Sequence, residues 1–386
     1  MDISPIPSIN LKFIHLNNGL RMRVATSGPT SGIPLLFMHG WPESWYSWRH
    51  QITFFAKQGY RVFAPDMRGY GGTDSPPRSS DFTVYNHASD MIGLLQHYQL
   101  TKAILIGHDW GAILGWQLAH LYPEYFPVVA NLSVPYRLRT PSSINPFLQM
   151  KKAFGKDFFY ITYHNETFHN TDDHGPAENE YDSDPHEFLY NVWSDSLVER
   201  DASTIKKKVG KYRRDGGMLA NMKSKQGRPL TYPTWLSEKD LDYVVEQFKV
   251  SGFRGGINYY RNFGTNHEMT PHLINRKLKQ PCFFLTGEND VVRQGFGLKQ
   301  LTQSDKVTSD TTKRIDPQKA SLLTVCDDLR TFIVLPKDAK NGKSAGHWIQ
   351  QERSTEVNEA LLLFFQSTEQ EFRTAPGGPS MSSSNL

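Results

Sequence analysis

The chain has 386 residues, and at roughly 150 residues per domain it holds two or three units, or one large α/β domain carrying an inserted module. Its 43 Lys+Arg against 39 Asp+Glu leave a net charge of +4, too small an excess to mark a nucleic-acid binder. Hydrophobic residues make up 38% and aromatics 12%, enough for a sizeable core and an aromatic-lined pocket, so composition excludes fibrous and disordered classes.

Strand signals come first: Phe13 to Leu16 and Leu20 to Thr26, around the turn signal Asn17-Asn18-Gly19. Pro34 to Met38 is a continuous apolar run, as expected of a fully buried strand ending at His39-Gly40. Glu43 to Gln58 has helical spacing, Tyr60 to Ala64 reads as a strand, and Asp90 to Tyr98 as an amphipathic helix. Ala103 to Ile106 is a second buried strand, Ala112 to Tyr122 the helix after it, and Val128 to Val134 a third buried strand. Strands alternating with helices predict parallel βαβ units.

The rhythm breaks between about Arg139 and Thr270, where helical patterns such as Pro185 to Val198 and Glu238 to Lys249 follow a polar loop, Asn165 to Asp184. It resumes at Pro281 to Thr286, continues at Arg330 to Leu335 and closes with a helix over Thr355 to Gln366. The expected organisation is an α/β core over 1–138, a helical cap over 139–270, the rest of the core over 271–370, and a disordered tail over 371–386. Thr302 to Asp328 reads as a largely polar insertion.

Gly107-His108-Asp109-Trp110-Gly111 follows a buried strand and opens a helix, the context of a nucleophile elbow. The central residue is Asp, and no Gly-x-Ser-x-Gly occurs, which argues against a serine esterase. A carboxylate is already ionised at neutral pH and is suited to displacing a leaving group at saturated carbon, giving an ester. The plainer reading, an Asp that only caps a helix, does not account for the two flanking glycines. His39-Gly40-Trp41-Pro42 also ends a buried strand. In an α/β-hydrolase that loop and the residue after the nucleophile supply the oxyanion-hole amides, here Trp41 and Trp110. Gly287-Glu288-Asn289-Asp290 and Ala345-Gly346-His347-Trp348 follow later strands. The order Asp109, Asp290, His347 is the nucleophile–acid–histidine order of that fold, with Glu288 the weaker choice of acid. His347 would deprotonate a water, oriented by Asp290.

With these motifs, the run from His39 to Trp48 and the Gly-His-Asp-Trp-Gly elbow resemble the soluble epoxide hydrolases of the α/β-hydrolase superfamily, from about Phe13 to Gln366. The resemblance implies an α/β-hydrolase fold, a mostly parallel central sheet with an inserted helical cap, and two cap tyrosines that hold the epoxide oxygen. The Tyr before Arg261-Asn262 in Ser251 to Asn262 points to Tyr260, with Tyr259 where the family usually has Trp. Phe158 to Tyr163 resembles the first tyrosine segment, where Tyr160 is preferred to Tyr163. Trp41, Trp110, Tyr259, Phe263 and Tyr163 are the expected substrate-binding residues. The substrates implied are an apolar epoxide and water, with no metal, organic cofactor or nucleic acid. The nearest rival is a haloalkane dehalogenase, against which Trp41 counts because that loop there typically carries Asn. A catalytically silent binding module on the same fold is the third reading.

Other features read plainly. His164, His169, Asp172, Asp173 and His174 fit no tight metal-ligand spacing. Lys206, Lys207, Lys208, Lys211, Arg213 and Arg214 read as a solvated face, and Gly69, Gly71 and Gly72 lack a dinucleotide fingerprint's context. Two cysteines, Cys282 and Cys326, cannot form a disulfide framework. With no apolar run of ~18 residues and no signal peptide at the start, the expected location is cytoplasmic. Two acceptor tripeptides, Asn131-Leu132-Ser133 and Asn165-Glu166-Thr167, are then expected to be unused. Ser384-Asn385-Leu386 is a degenerate peroxisomal address.

Overall fold

Eight strands form one sheet in the order β1-β2-β4-β3-β5-β6-β7-β8. The computed structural model describes residues 3–141, 143–155, 158–168, 174–194, 217–222, 232–295, 315–338 and 345–379. β1 (Asn10–His15) and β2 (Arg21–Ser27) form a hairpin, and β2 also runs antiparallel to β4 (Arg61–Pro65). β3 (Pro34–Met38), β5 (Ile104–His108), β6 (Val128–Leu132), β7 (Cys282–Gly287) and β8 (Leu329–Leu335) complete a parallel set with β4. Every residue of β3, β5, β6 and β7 is buried, which is why they read as unbroken apolar runs.

Side-chain alternation along these strands builds two cores. Phe283 and Leu285 join the large core with Phe37, Trp48 and Phe365, while Cys282 and Phe284 face Trp116, Leu322 and Val325 on the other side. Three helices lie against the first half of the sheet: α1 (Arg49–Lys57), α2 (Val84–His97) and α3 (Trp110–Leu121). α2 begins six residues before its predicted start. Its first turn is anchored by tertiary contact, with the Val84 amide donating to Asn266 Oδ1 at 2.8 Å. The helix predicted over Glu43 to Gln58 is divided into a 3-10 turn, Trp45–Trp48, and α1.

Between β6 and β7 the chain forms the helical cap, including Pro146–Phe154, Tyr160–His164, Pro176–Ser183, Pro185–Ser194, Glu238–Ser251, Arg254–Arg261 and Phe263–Met269. Polar contacts seat it on the core. Tyr46 Oη donates to Asp240 Oδ1 at 2.8 Å, Asn262 Nδ2 to Ser79 O at 2.7 Å, and Arg23 to Gln247.

Two expectations are corrected, for the polar loop and for the tail, and the polar insertion is ordered over part of its length. Pro176–Ser183, inside the predicted polar loop, is helical, with proline in its first turn and the Gly175 amide donating to Glu178 Oε2 at 3.1 Å. Glu178 is fully buried and ion-paired to Arg261, so tertiary contact orders a segment whose composition reads as loop. Pro317–Val325, inside the predicted insertion, is a helix capped by Asp316 that buries Leu322 and Val325. The predicted disordered tail is helical through Thr374. Beyond it, the Gly378 amide donates to Thr101 O at 2.8 Å, docking residues up to 379 on the core. His169, Asp172, Asp173, the lysine-rich stretch 206–214, Ser309 to Lys313 and Ser384-Asn385-Leu386 lie outside the described residues. Among the described residues no helix is long and apolar enough to cross a membrane.

Candidate active site

The site stands on turns at the carboxyl ends of β3, β5, β6 and β7, with His347 added from the loop after β8. β5 ends at His108, and Asp109 takes φ 52° and ψ −115° before α3 starts at Trp110. That conformation is rare for a residue with a Cβ and turns the carboxylate above the sheet. Small neighbours make the turn possible. A Cβ on Gly111 would lie 2.0 Å from Met38 O, and one on Gly40 would lie 2.4 Å from the Asp109 Cβ.

The carboxylate is held on two sides. Asp109 Oδ1 accepts the Trp41 amide at 2.8 Å, and Oδ2 lies 3.5 Å from His347 Nε2. The other imidazole nitrogen, Nδ1, lies 3.1 Å from Asp290 Oδ1. Asp290 is fully buried and saturated: the Val292 amide donates to Oδ1 at 2.8 Å, and the hydroxyls of Ser133 and Thr286 donate to Oδ2 at 2.5 and 3.2 Å. Burial alone would raise the Asp290 carboxyl, but His347 and these donors outweigh it and hold it below the usual carboxylate range. Burial would likewise lower the His347 imidazole. The Asp290 and Asp109 carboxylates win and hold it well above the ordinary histidine value.

The cap supplies an aromatic roof. Tyr160 and Tyr260 approach with ring centroids 5.8 Å apart, and Trp41 lies 6.3 Å from Tyr160 and 5.5 Å from Tyr260. Trp110 lies 5.0 Å from Tyr260 and 4.5 Å from Phe263. Burial, then the Asp109 charge, raises the Tyr160 phenol, whose hydroxyl interacts with that of Tyr260. The Tyr260 phenol is raised by burial, then by Tyr160 and Asp109. Both hydroxyls therefore stay protonated and can donate.

Two sequence-chosen residues do not join this group. Tyr163 packs 5.4 Å from Phe158 and 6.4 Å from Tyr181, and burial and the Glu180 carboxylate raise its phenol. Tyr259 donates its hydroxyl to Arg68 O at 3.0 Å and lies 4.4 Å from His87 and 5.6 Å from Trp110, so it supports Trp110 from the core side. Glu288 is displaced from the histidine as well, its Oε2 accepting the Lys337 amide at 3.3 Å.

Sequence reasoning gave three buried polar residues no place in the site. Ser133 bridges Asp290 and His347, and its signal was a polar residue at the end of a buried strand, read only as part of an acceptor tripeptide. Glu43, inside the His39–Trp48 run, accepts the Gly40 amide at 2.7 Å and contacts His108 Nδ1 at 3.0 Å. His164, one turn after Tyr160, lies 4.5 Å from Tyr260 and 3.0 Å from the Tyr181 hydroxyl.

Residues 33–318 match the family model of the alpha/beta hydrolase fold. Over 362 residues the chain is 32% identical to Epoxide hydrolase A of Mycobacterium tuberculosis, covering 91% of this chain and 96% of that protein. It is also 32% identical to Epoxide hydrolase 3 of Siraitia grosvenorii, over 88% of this chain and 93% of that one. The crystal structure of Epoxide Hydrolase A from Mycobacterium thermoresistibile superposes with a TM-score of 0.74 at 32% identity, covering 93% of this chain and 98% of that one. The chain belongs to the α/β-hydrolase superfamily, within its epoxide hydrolase family.

Proposed function

We propose that the protein hydrolyses an apolar epoxide to a vicinal diol through an alkyl ester on Asp109. The carrying observation is the pairing of two cap phenols, Tyr160 and Tyr260, with ring centroids 5.8 Å apart and both feeling the Asp109 charge, with a carboxylate whose oxygens differ in their surroundings. Oδ1 rests on the Trp41 amide and becomes the ester carbonyl oxygen, and Oδ2 attacks a ring carbon. The ring C–O bond breaks, and the leaving oxygen takes a proton from one phenol while the other donates a hydrogen bond to it.

Ester formation removes the Asp109 charge, one of the two that hold the imidazole proton, and that proton passes from Nε2 to the phenolate left by ring opening, which restores the phenol. His347 then becomes a competent base. It takes a proton from water at Nε2, and the hydroxide attacks the Asp109 Cγ. The oxyanion on Oδ1 is stabilised by the Trp41 and Trp110 amides. Collapse breaks the ester C–O bond. The departing alkoxide takes the imidazolium proton, and the proton lost as Asp109 becomes a carboxylate again returns to the His347 imidazole. Phe263 and the Trp41 and Trp110 indoles offer an apolar wall for the substrate.

Incubation with styrene oxide and with 1-chlorobutane tests this reading. Diol from the epoxide without halide from the chloroalkane supports it. Halide without diol overturns it in favour of a haloalkane dehalogenase, and neither product from a folded protein overturns it in favour of a binding module.

A further inference from the structure

We propose that Ser133 is a positioning residue for the hydrolytic step, fixing the His347 imidazole through a hydrogen bond at Nδ1 beside the one with Asp290. The proposal rests on the ester mechanism above. β5 and β6 are parallel neighbours with His108 opposite Leu132, so Asp109 and Ser133 are the first residues beyond the sheet at one level. Both take left-handed backbone conformations, φ 52° and 72°; among the described residues only Gln99 and Asn275 otherwise do so without being glycine. Such strain persists only where the surroundings enforce it, and it gathers at functional sites. At Ser133 the amide donates to Leu285 O at 2.9 Å, and the side chain is fully buried.

The hydroxyl has one hydrogen and two lone pairs. The hydrogen goes to Asp290 Oδ2 at 2.5 Å, because a carboxylate can only accept. Ser133 Oγ, 2.9 Å from His347 Nδ1, can then only accept from that nitrogen. This polarity keeps the hydrogen on Nδ1 and leaves the Nε2 lone pair for water. It also gives the ring a second anchor beside the 3.1 Å contact with Asp290 Oδ1, so the ring cannot swivel about a single bond. Asp290 itself retains the Val292 and Thr286 donors without Ser133, so loss of the hydroxyl acts first on the imidazole.

Ser133→Gly removes the hydroxyl while suiting the positive φ, and Ser133→Ala serves as a second variant. Single turnovers of styrene oxide, quenched and read by protein mass, give ring opening and ester decay separately. His347→Gln is run beside them. Ester decay about tenfold slower in Ser133→Gly, with ring opening within about twofold of the parent, is the expected result for one lost buried hydrogen bond. Parent-like decay overturns the proposal, and so does equal slowing of both half-reactions, which would mark a merely structural role. If His347→Gln traps ester but Ser133→Gly decays normally, only the role of Ser133 falls. If His347→Gln traps none, the ester mechanism falls and takes this proposal with it.

Discussion

His347 Nε2 lies 3.5 Å from Asp109 Oδ2, close enough for the two charges to support each other while Asp109 is a carboxylate. The same contact places the imidazole beside the carboxyl carbon that water must attack once Asp109 is esterified. One geometry thus serves both halves of the proposed reaction, with the charge of Asp109 as the switch between them.

Asp109→Asn should abolish turnover, because an amide is a poor nucleophile, and fresh protein is needed to avoid deamidation. His347→Gln should open the ring but not release diol, leaving the substrate mass on the protein. In a single turnover in ¹⁸O-water, the new diol oxygen should come from Asp109 and carry no label, while the protein gains it. Labelled diol in the first turnover would sink the two-step scheme.

The raised His347 value predicts a pH dependence of stability. Its folded pKa lies above the unfolded value of ~6.5, so its contribution is fully present below that pH and is lost as pH rises through the folded pKa. Urea midpoints of the parent and His347→Gln should therefore converge as pH rises above ~6.5. Replacing Asp109 by Asn removes one of the two supporting charges and should lower the His347 pKa, read by NMR titration of its imidazole. An upward or absent shift would contradict the charge-switch argument.

The two cap hydroxyls should act together. Tyr160→Phe or Tyr260→Phe leaves one donor and should slow ring opening by about one to two powers of ten, near the usual range for a positioned acid. The double variant should lose much more, because the alkoxide would form with no donor in a desolvated site. Tyr163→Phe should change ring opening by less than about twofold, since its phenol is engaged by Glu180. A Tyr163→Phe loss as large as that of Tyr160→Phe would exchange their roles.

The parallel strands and the Asp109 elbow were legible because both are local: a buried strand is a continuous apolar run, and the elbow needs small residues within two positions of the nucleophile. Tyr160 could be separated from Tyr163 only in space, since both sit on one short helix and differ in whether Asp109 or Glu180 faces them. Ser133 was illegible as part of the site because its partners, Leu285, Asp290 and His347, are more than 150 positions away. The helix Pro176–Ser183 was missed for a similar reason. The Arg261 side chain that pairs with Glu178 at 2.6 Å belongs to the far end of the cap.

A final prediction concerns the support beneath Trp110. Arg68 and Asp90 form a buried, two-pronged pair, with Nε donating to Oδ2 at 2.8 Å and Nη2 to Oδ1 at 2.6 Å. Burial pulls the Asp90 carboxyl above its usual value even though Arg68 and Asn18 oppose it. The pair is therefore costly to desolvate, and its net worth is small compared with the cost of breaking it. The Arg68 carbonyl also accepts the Tyr259 hydroxyl under Trp110, so disturbance at Arg68 reaches the pocket wall. Asp90→Leu should lose roughly 3–5 kcal/mol of stability, because the guanidinium is left in a buried site without its carboxylate. Asp90→Leu combined with Arg68→Met removes both charges and should recover most of that loss. Urea unfolding of the parent, the two single variants and the double variant closes the cycle. A double variant as unstable as the sum of the singles would show that each side chain packs independently, and that the ion pair does not couple α2 to the support under Trp110.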